Sequence, residues 1–414
     1  LFLIKEINQN KEKKFGNLSL INEAFQYCYL NYSEADKKFV SLINSEDGDY
    51  SRYLFYYLNY LIKNEDFISA KKISETINTL DSNLLIQQAK QWINEEKFYK
   101  FDQLFSCENE EDILSEFFFL ISNFLAVEKD FEKSNFYSNI SNYLNPKFYY
   151  NLTHLLENYF ENKNYKKVKL LLENFDKEDE IYYWYKLKKI SRIIYKEKGS
   201  DPSLSFIESK FKEYENPSLK IIYDMANIYK RRQKFEKSIE YYSMVLEKLD
   251  INSEEYADVL YKRGSSYERL NEHKNSDEDL LKSLSIQPDN PYVLNYLGYS
   301  WLERGYKIQE AIDMLDKAYK EKKNDPYIID SVGWGYYLIG DFQNAEKFLR
   351  KAIQLMPKDP IVNDHYGDVL WKLNRKIQAK YYWKSALNSE DEGLENEMKK
   401  IISKKLLLGL ENSL

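Results

Sequence analysis

The stretch from Pro326 to Pro357, PYIIDSVGWGYYLIGDFQNAEKFLRKAIQLMP, reads as two short helices and the turn that joins them. Gly333 stands where the first helix comes closest to the second, with Val332 and Tyr336 on its buried side. Ala345 and Ala352 mark the second helix, and Leu349 lies between them on the same face. Helix axes about 8–10 Å apart leave room only for small side chains at the crossing, while larger neighbours fill the grooves beside it. Gly340 and Asp341 form the turn. Asp325 offers an N-cap oxygen ahead of Pro326, a first helical position where no N–H is missed, and Pro357 ends the second helix.

Stepping outward from Gly333 by one repeat reaches Gly367, then Gly298 and Gly264 in the other direction, at spacings of 34, 35 and 34 residues. Behind each glycine come a small residue, a large one and a second small one. These are Ala345, Leu349 and Ala352; Ala379, Trp383 and Ala386; Ala311, Leu315 and Ala318; and Ser276, Leu280 and Ser283. Six of the eight prolines follow Asn or Asp, at Asn145, Asp201, Asn216, Asn290, Asp325 and Asp359, and each reads as a helix start. Upstream the glycine is lost but the frame survives: Ala226 with Ser238, Tyr242 and Val245, Phe131 with Ser134, Ser138 and Ser141, and Tyr165 with Val168, Leu172 and Phe175.

The spacing predicts an all-α chain of about eleven antiparallel helical hairpins with a C-terminal capping helix. Residues 1–215 read as degenerate hairpins, 216–388 as five well-formed repeats and 389–414 as the cap, all in one continuous solenoid. Ser389 to Glu392 read as an acidic break. Leu394, Met398, Ile401, Ile402 and Leu408 are expected on the apolar face of the cap, with Lys399, Lys400, Lys404 and Lys405 keeping it soluble.

Composition agrees with helical repeats. Of 414 residues 43% are hydrophobic, enough for a continuous core, and 12 Gly and 8 Pro leave little for long loops. A net charge of −7 gives no basic footprint for nucleic acid and favours a protein partner. Cys28 and Cys107 have no CxxC neighbour and no evident mate, so they read as core thiols. The longest apolar run, Phe117 to Val127, is too short and too polar to span a membrane. The chain begins LFLIKEINQNKEKK, without a methionine or the order of a secretory signal. The expectation is a soluble, cytoplasmic protein, with a periplasmic or envelope-associated one as the alternative if the start is truncated.

At these residues the chain resembles the tetratricopeptide-repeat family, strongly from about Lys220 to Asn388 and weakly but in register from Phe15 to Asn216. The segments GYSWLERG, DSVGWGYYLIGDF and NDHYGDVLWKL also resemble bacterial members read as partner-binding scaffolds. The resemblance implies a right-handed superhelix whose concave face is made by first helices. Residues three before, one after and four after each glycine position would then point into the groove. They are Tyr223, Asn227 and Lys230; Tyr261, Ser265 and Glu268; Asn295, Tyr299 and Leu302; Asp330, Trp334 and Tyr337; and Asp364, Asp368 and Trp371, with Arg231 and Arg269 beside the row. Such a groove would be aromatic throughout and acidic at its C-terminal end, where it would suit a Lys- or Arg-bearing segment. The chaperone type of clamp for a peptide carboxylate, which needs Lys and Asn at the first two positions, does not fit Tyr223 and Asn227 or Asp330 and Trp334.

Catalysis finds little purchase. No GxxxxGK[ST] or GxGxxG loop occurs, and His154, His273 and His365 lie in separate hairpins without HExxH or a nearby Cys, so neither a cofactor nor a metal is expected. Asp364-His365 is the one acid–base pair beside the row, and adjacent helical residues diverge by about 100°. The leading reading is a non-enzymatic scaffold that binds a segment of a partner protein. The alternatives are an RNA-binding helical repeat, the repeat region of a larger enzyme, and self-association through FFFL at Phe117 to Leu120 or YYWY at Tyr182 to Tyr185.

Overall fold

The computed structural model describes residues 18–45, 49–388 and 396–410. Phe15, the acidic break and Leu394 of the expected cap lie outside them. Two compact units divide the chain, one reaching to Ile221 and one starting at Ile222.

In the first unit consecutive helices pair as α1 (Leu18–Tyr29) and α2 (Ala35–Ile43), α3 (Tyr53–Lys63) and α4 (Phe67–Glu75), and α5 (Leu84–Asn94) and α6 (Tyr99–Leu104). They continue as α7 (Glu110–Val127) and α8 (Phe131–Leu144), α9 (Tyr149–Glu161) and α10 (Tyr165–Leu172), and α11 (Glu180–Lys198) and α12 (Ser200–Phe211). The unit boundary falls in the first turn of α13 (Leu219–Arg231), which pairs with α14 (Phe235–Leu246). Then come α15 (Glu254–Arg269) and α16 (His273–Ile286), α17 (Pro291–Glu303) and α18 (Ile308–Glu321), α19 (Pro326–Leu338) and α20 (Phe342–Leu355), α21 (Pro360–Lys372) and α22 (Lys376–Leu387), and finally α23 (Asn396–Leu408). Among the described residues the all-α repeat is therefore present as eleven helix pairs and a terminal helix, in the frame the glycines set.

The small–large–small rule has a direct geometric cause. A Cβ placed on Gly333 would lie 2.6 Å from Leu349 Cγ, and one on Gly367 would lie 2.5 Å from Trp383 Cδ1. Gly298 and Gly264 meet Leu315 and Leu280 in the same way, at 3.2 and 3.1 Å. Ala345, Ala352, Ala379 and Ala386 are fully buried beside them. Where serine replaces alanine it keeps the small volume and pairs its hydroxyl: between α7 and α8, Ser122 meets Ser138 at 2.6 Å and Ser115 donates to the Ser141 carbonyl at 2.9 Å. Buried hydroxyls need such partners, since an unmade hydrogen bond costs about 1–3 kcal/mol.

Helix starts follow the Asx-Pro signal only in part. Asn290, Asp325 and Asp359 each accept two backbone N–H bonds ahead of a proline. Asn145 does not cap: its amide donates to the Leu104 carbonyl and to Asp112, and α9 begins three residues after Pro146. Pro202 lies inside the first turn of α12, and Pro217 stands just before α13.

Two further expectations are corrected. Cys28, at the end of α1, and Cys107, after α6, form a disulfide with a Cα–Cα distance of 5.9 Å, so they are not unpaired core thiols. Packing of the first three hairpins brings together residues 79 positions apart, which spacing along the chain cannot reveal. In α23 the buried positions are Ile402 and Lys405, followed by Gly409 and Leu410 just past its end, with Met398 half-buried, whereas Ile401 and Leu408 are exposed. Lys405 is thus part of the packed face and does not serve solubility.

Candidate functional site: the first-helix face of the second unit

At its N-terminal end the row is lined by lysines. Tyr223 is buried on α13 and its hydroxyl accepts from Lys262 Nζ of α15. Asn227 accepts from the Tyr242 hydroxyl at 2.8 Å. Lys230 donates to Ser265 Oγ and to the Lys262 carbonyl, and burial, helped by the neighbouring Lys262, pulls its ammonium down to about 8. Tyr261 packs edge-on against Tyr296, whose hydroxyl lies 3.2 Å from Glu268.

Further along, the face turns acidic and aromatic. Asn295 and Tyr299 are half-buried on α17, and Asn295 Oδ1 has no hydrogen-bond partner among the described residues. Burial, then the carboxylates of Glu303 and Asp330, hold the Tyr299 hydroxyl protonated far above its usual range. Trp334 is half-exposed on α19, stacked between Tyr337 at 4.6 Å and His365 at 4.1 Å, and its indole N–H donates to Glu303. Asp330 is buried, and its Oδ2 lies 2.9 Å from His365 Nδ1. Burial opposes the imidazolium, yet Asp330, with Asp364 and Asp368 beyond it, raises His365 above its ordinary value. The adjacent pair Asp364-His365 therefore does not act together; the histidine pairs one hairpin back.

The acidic end is already occupied. Lys405 Nζ of α23 lies 2.8 Å from Asp364 Oδ2 and 2.8 Å from Asp368 Oδ2, all three side chains being buried. Trp383 Nε1 holds the other Asp368 oxygen at 2.8 Å. Trp371 packs 5.3 Å from Trp383, and a Cβ on Gly409, at φ +79°, would lie 2.2 Å from Trp371 Cζ2, so no side chain would fit there. Burial, then repulsion from Asp364, pushes the Asp368 carboxyl up to about 6. Both aspartates and Trp371 are thus engaged by the chain's own C-terminal helix, while Tyr261, Asn295, Tyr299, Trp334 and Tyr337 are only half-buried.

The sequence reading places Lys405 among the solubilising charges and His365 beside Asp364, and it does not single out Gly409. The spacing of Met398, Ile402, Lys405 and Gly409 at i, i+4, i+7 and i+11 is a helical stripe that would have revealed the lysine had charge not been taken as a sign of solvent. Among the described residues no group of three His, Cys, Asp or Glu side chains could hold a metal ion.

Residues 257–290, from within α15 to just past α16, match the tetratricopeptide repeat family model. It is 37% identical over 110 residues to a TPR repeat-containing protein of Pseudomonas aeruginosa, covering 27% of this chain and 18% of that protein. It is 29% identical over 111 residues to a lipoprotein NlpI homolog of Haemophilus influenzae, covering 27% of this chain and 35% of that one. Among solved structures, PilW, described as a widely conserved type IV pilus biogenesis factor, aligns with a TM-score of 0.40 at 21% identity over 48% of this chain and 88% of that one. The chain thus spans well under half the length of these curated relatives.

Proposed function

We propose that the protein is a non-enzymatic interaction adaptor whose second unit receives a lysine- or arginine-bearing segment of a partner protein on its first-helix face. One observation carries this reading: the face already receives such a segment in cis, Lys405 of α23 seated between Asp364 and Asp368. The partner would use the half-buried part of the row, with Tyr299, Trp334 and Tyr337 as aromatic anchors and Glu268 and Glu303 as counter-charges. Rigid rings bury much area at low entropic cost, and carboxylates along the row select a cation. The same carboxylates disfavour a nucleic-acid backbone.

The Cys28–Cys107 disulfide supports an oxidising compartment, because such bonds persist outside the reducing cytoplasm. The partial likeness to a lipoprotein supports the same reading. Among the described residues no helix is long and apolar enough to cross a membrane. The test is crosslinking capture in source cells with the wild type and with Tyr299→Ala plus Trp334→Ala, the fold of the variant being checked by circular dichroism. The expected result is a specific protein lost in the double variant; identical recovery from both removes the face from the binding role.

A further inference from the structure

The first unit holds a cavity of about 520 Å³ walled by α1, α7 and α9 and by the start of α3. Its walls are mainly apolar, with Ile21, Phe25, Phe117 and Leu120 among them. Set into them are three polar atoms that are buried and without a hydrogen-bond partner among the described residues: Arg52 Nη1, the Tyr53 hydroxyl and His154 Nε2. The Tyr53 hydroxyl lies close enough to Glu116 for that carboxylate to help keep it protonated. Arg52 and His154 are left, and both residues line the space.

Arg52 is held rigidly. Its Nε donates to Glu116 Oε1 at 2.9 Å, its Nη2 donates to Asn151 Oδ1 at 2.7 Å, to Glu116 and to the Tyr56 hydroxyl, and its plane lies 3.8 Å from the Phe119 ring centre. A guanidinium fixed on three sides holds its remaining Nη1, with two N–H groups, in one position, at little further entropic cost to a ligand. Glu116 has already balanced its charge. A second anion would face Glu116, Glu157 and Asp49, all in the lining, and a cation would face the guanidinium. Burial lowers the His154 imidazole to about 4, so it is neutral near pH 7 and adds no charge. Water would be poorly held, since an ordered water needs about two to four polar partners and most of this wall offers none.

We propose that this cavity binds a neutral, largely apolar small molecule whose carbonyl or amide oxygen accepts from Arg52 Nη1, with His154 in the same lining. The size lies within the range of about 300–1,000 Å³ typical of small-molecule sites. The probes are decanamide and decanoate, matched in chain and differing in head-group charge, titrated into the full chain by calorimetry near pH 7. Decanamide is expected to bind saturably, and decanoate at least ~10-fold more weakly because its charge is buried beside Glu116. Leu120→Trp, which adds bulk at the cavity wall, is expected to abolish binding. No saturable binding of decanamide, tighter binding of decanoate, or unchanged affinity in Leu120→Trp would each overturn the proposal. Should Leu120→Trp fail to fold, magnetisation transfer from bound decanamide to the Phe119 and His154 rings of the wild type decides, and its absence overturns the proposal equally.

Discussion

The seat of Lys405 and the cavity beside Arg52 are built from the same materials, a buried cation, carboxylates and aromatic rings, and they are finished differently. In the seat, Lys405 meets two carboxylates at 2.8 Å and Gly409 closes on Trp371, so the chain supplies its own occupant. Around Arg52 one carboxylate balances the charge, and a space of about 520 Å³ stays within walls that Arg52 helps line. A buried charge is tolerated when its partner is in place and is costly when it is not. The polar groups that remain around an abandoned charge should therefore set the size of that cost, and Arg52 keeps the Tyr56 hydroxyl and Asn151 as partners.

The largest effect is expected for Lys405→Met, which leaves Asp364 and Asp368 facing each other in a closed seat and should cost about 4 kcal/mol in urea unfolding near pH 8. Asp368 is pushed up to about 6, above its unfolded value, so its contribution to stability is greatest at low pH and falls as pH rises through 6. Without the lysine that fall steepens, and the penalty near pH 5 should be smaller than near pH 8. Glu116→Gln should cost about 3 kcal/mol, less than Lys405→Met, because the new amide oxygen and Asn151 Oδ1 still accept from the Arg52 guanidinium. Equal costs for the two variants would dissolve the distinction between the filled and the open site.

Cys28→Ala with Cys107→Ala should cost about 2–3 kcal/mol, read as a lowered midpoint that reducing agent reproduces in the wild type. Because Cys28 lies on α1, which walls the cavity, this loss should fall on the first unit and leave the Lys405 seat intact. The smallest effect is expected for Asp330→Asn, about 1 kcal/mol near pH 6. His365 is raised above its unfolded value by Asp330, so the pair stabilises below about pH 6.5 and the contribution is lost as pH rises through the folded value. The difference between wild type and variant, measured as Tm against pH, should shrink from pH 6 to pH 9.

Much of the architecture was legible because it is local and repeated. Gly333 opposite Leu349 and Gly367 opposite Trp383 obey one steric rule, written again in each well-formed hairpin and readable without knowledge of the rest of the molecule. The placement of the candidate row on first helices was legible, since Tyr261, Tyr299 and Trp334 follow from their offset to the glycine. Its engagement was not. Asp364 and Asp368 read as an open acidic end, whereas the structure gives them to a lysine 41 and 37 residues further on.

By itself, then, the sequence determined the hairpins, their register and their packing glycines, because neighbours within one repeat impose those choices. The tertiary structure alone decided which charges are buried and which cysteines meet: Arg52 with Glu116 across 64 residues, His365 with Asp330 across 35, and Cys28 with Cys107 across 79. The reason is electrostatic. A charged side chain defaults to solvent, and only a partner delivered by another element can offset the cost of taking it out of water.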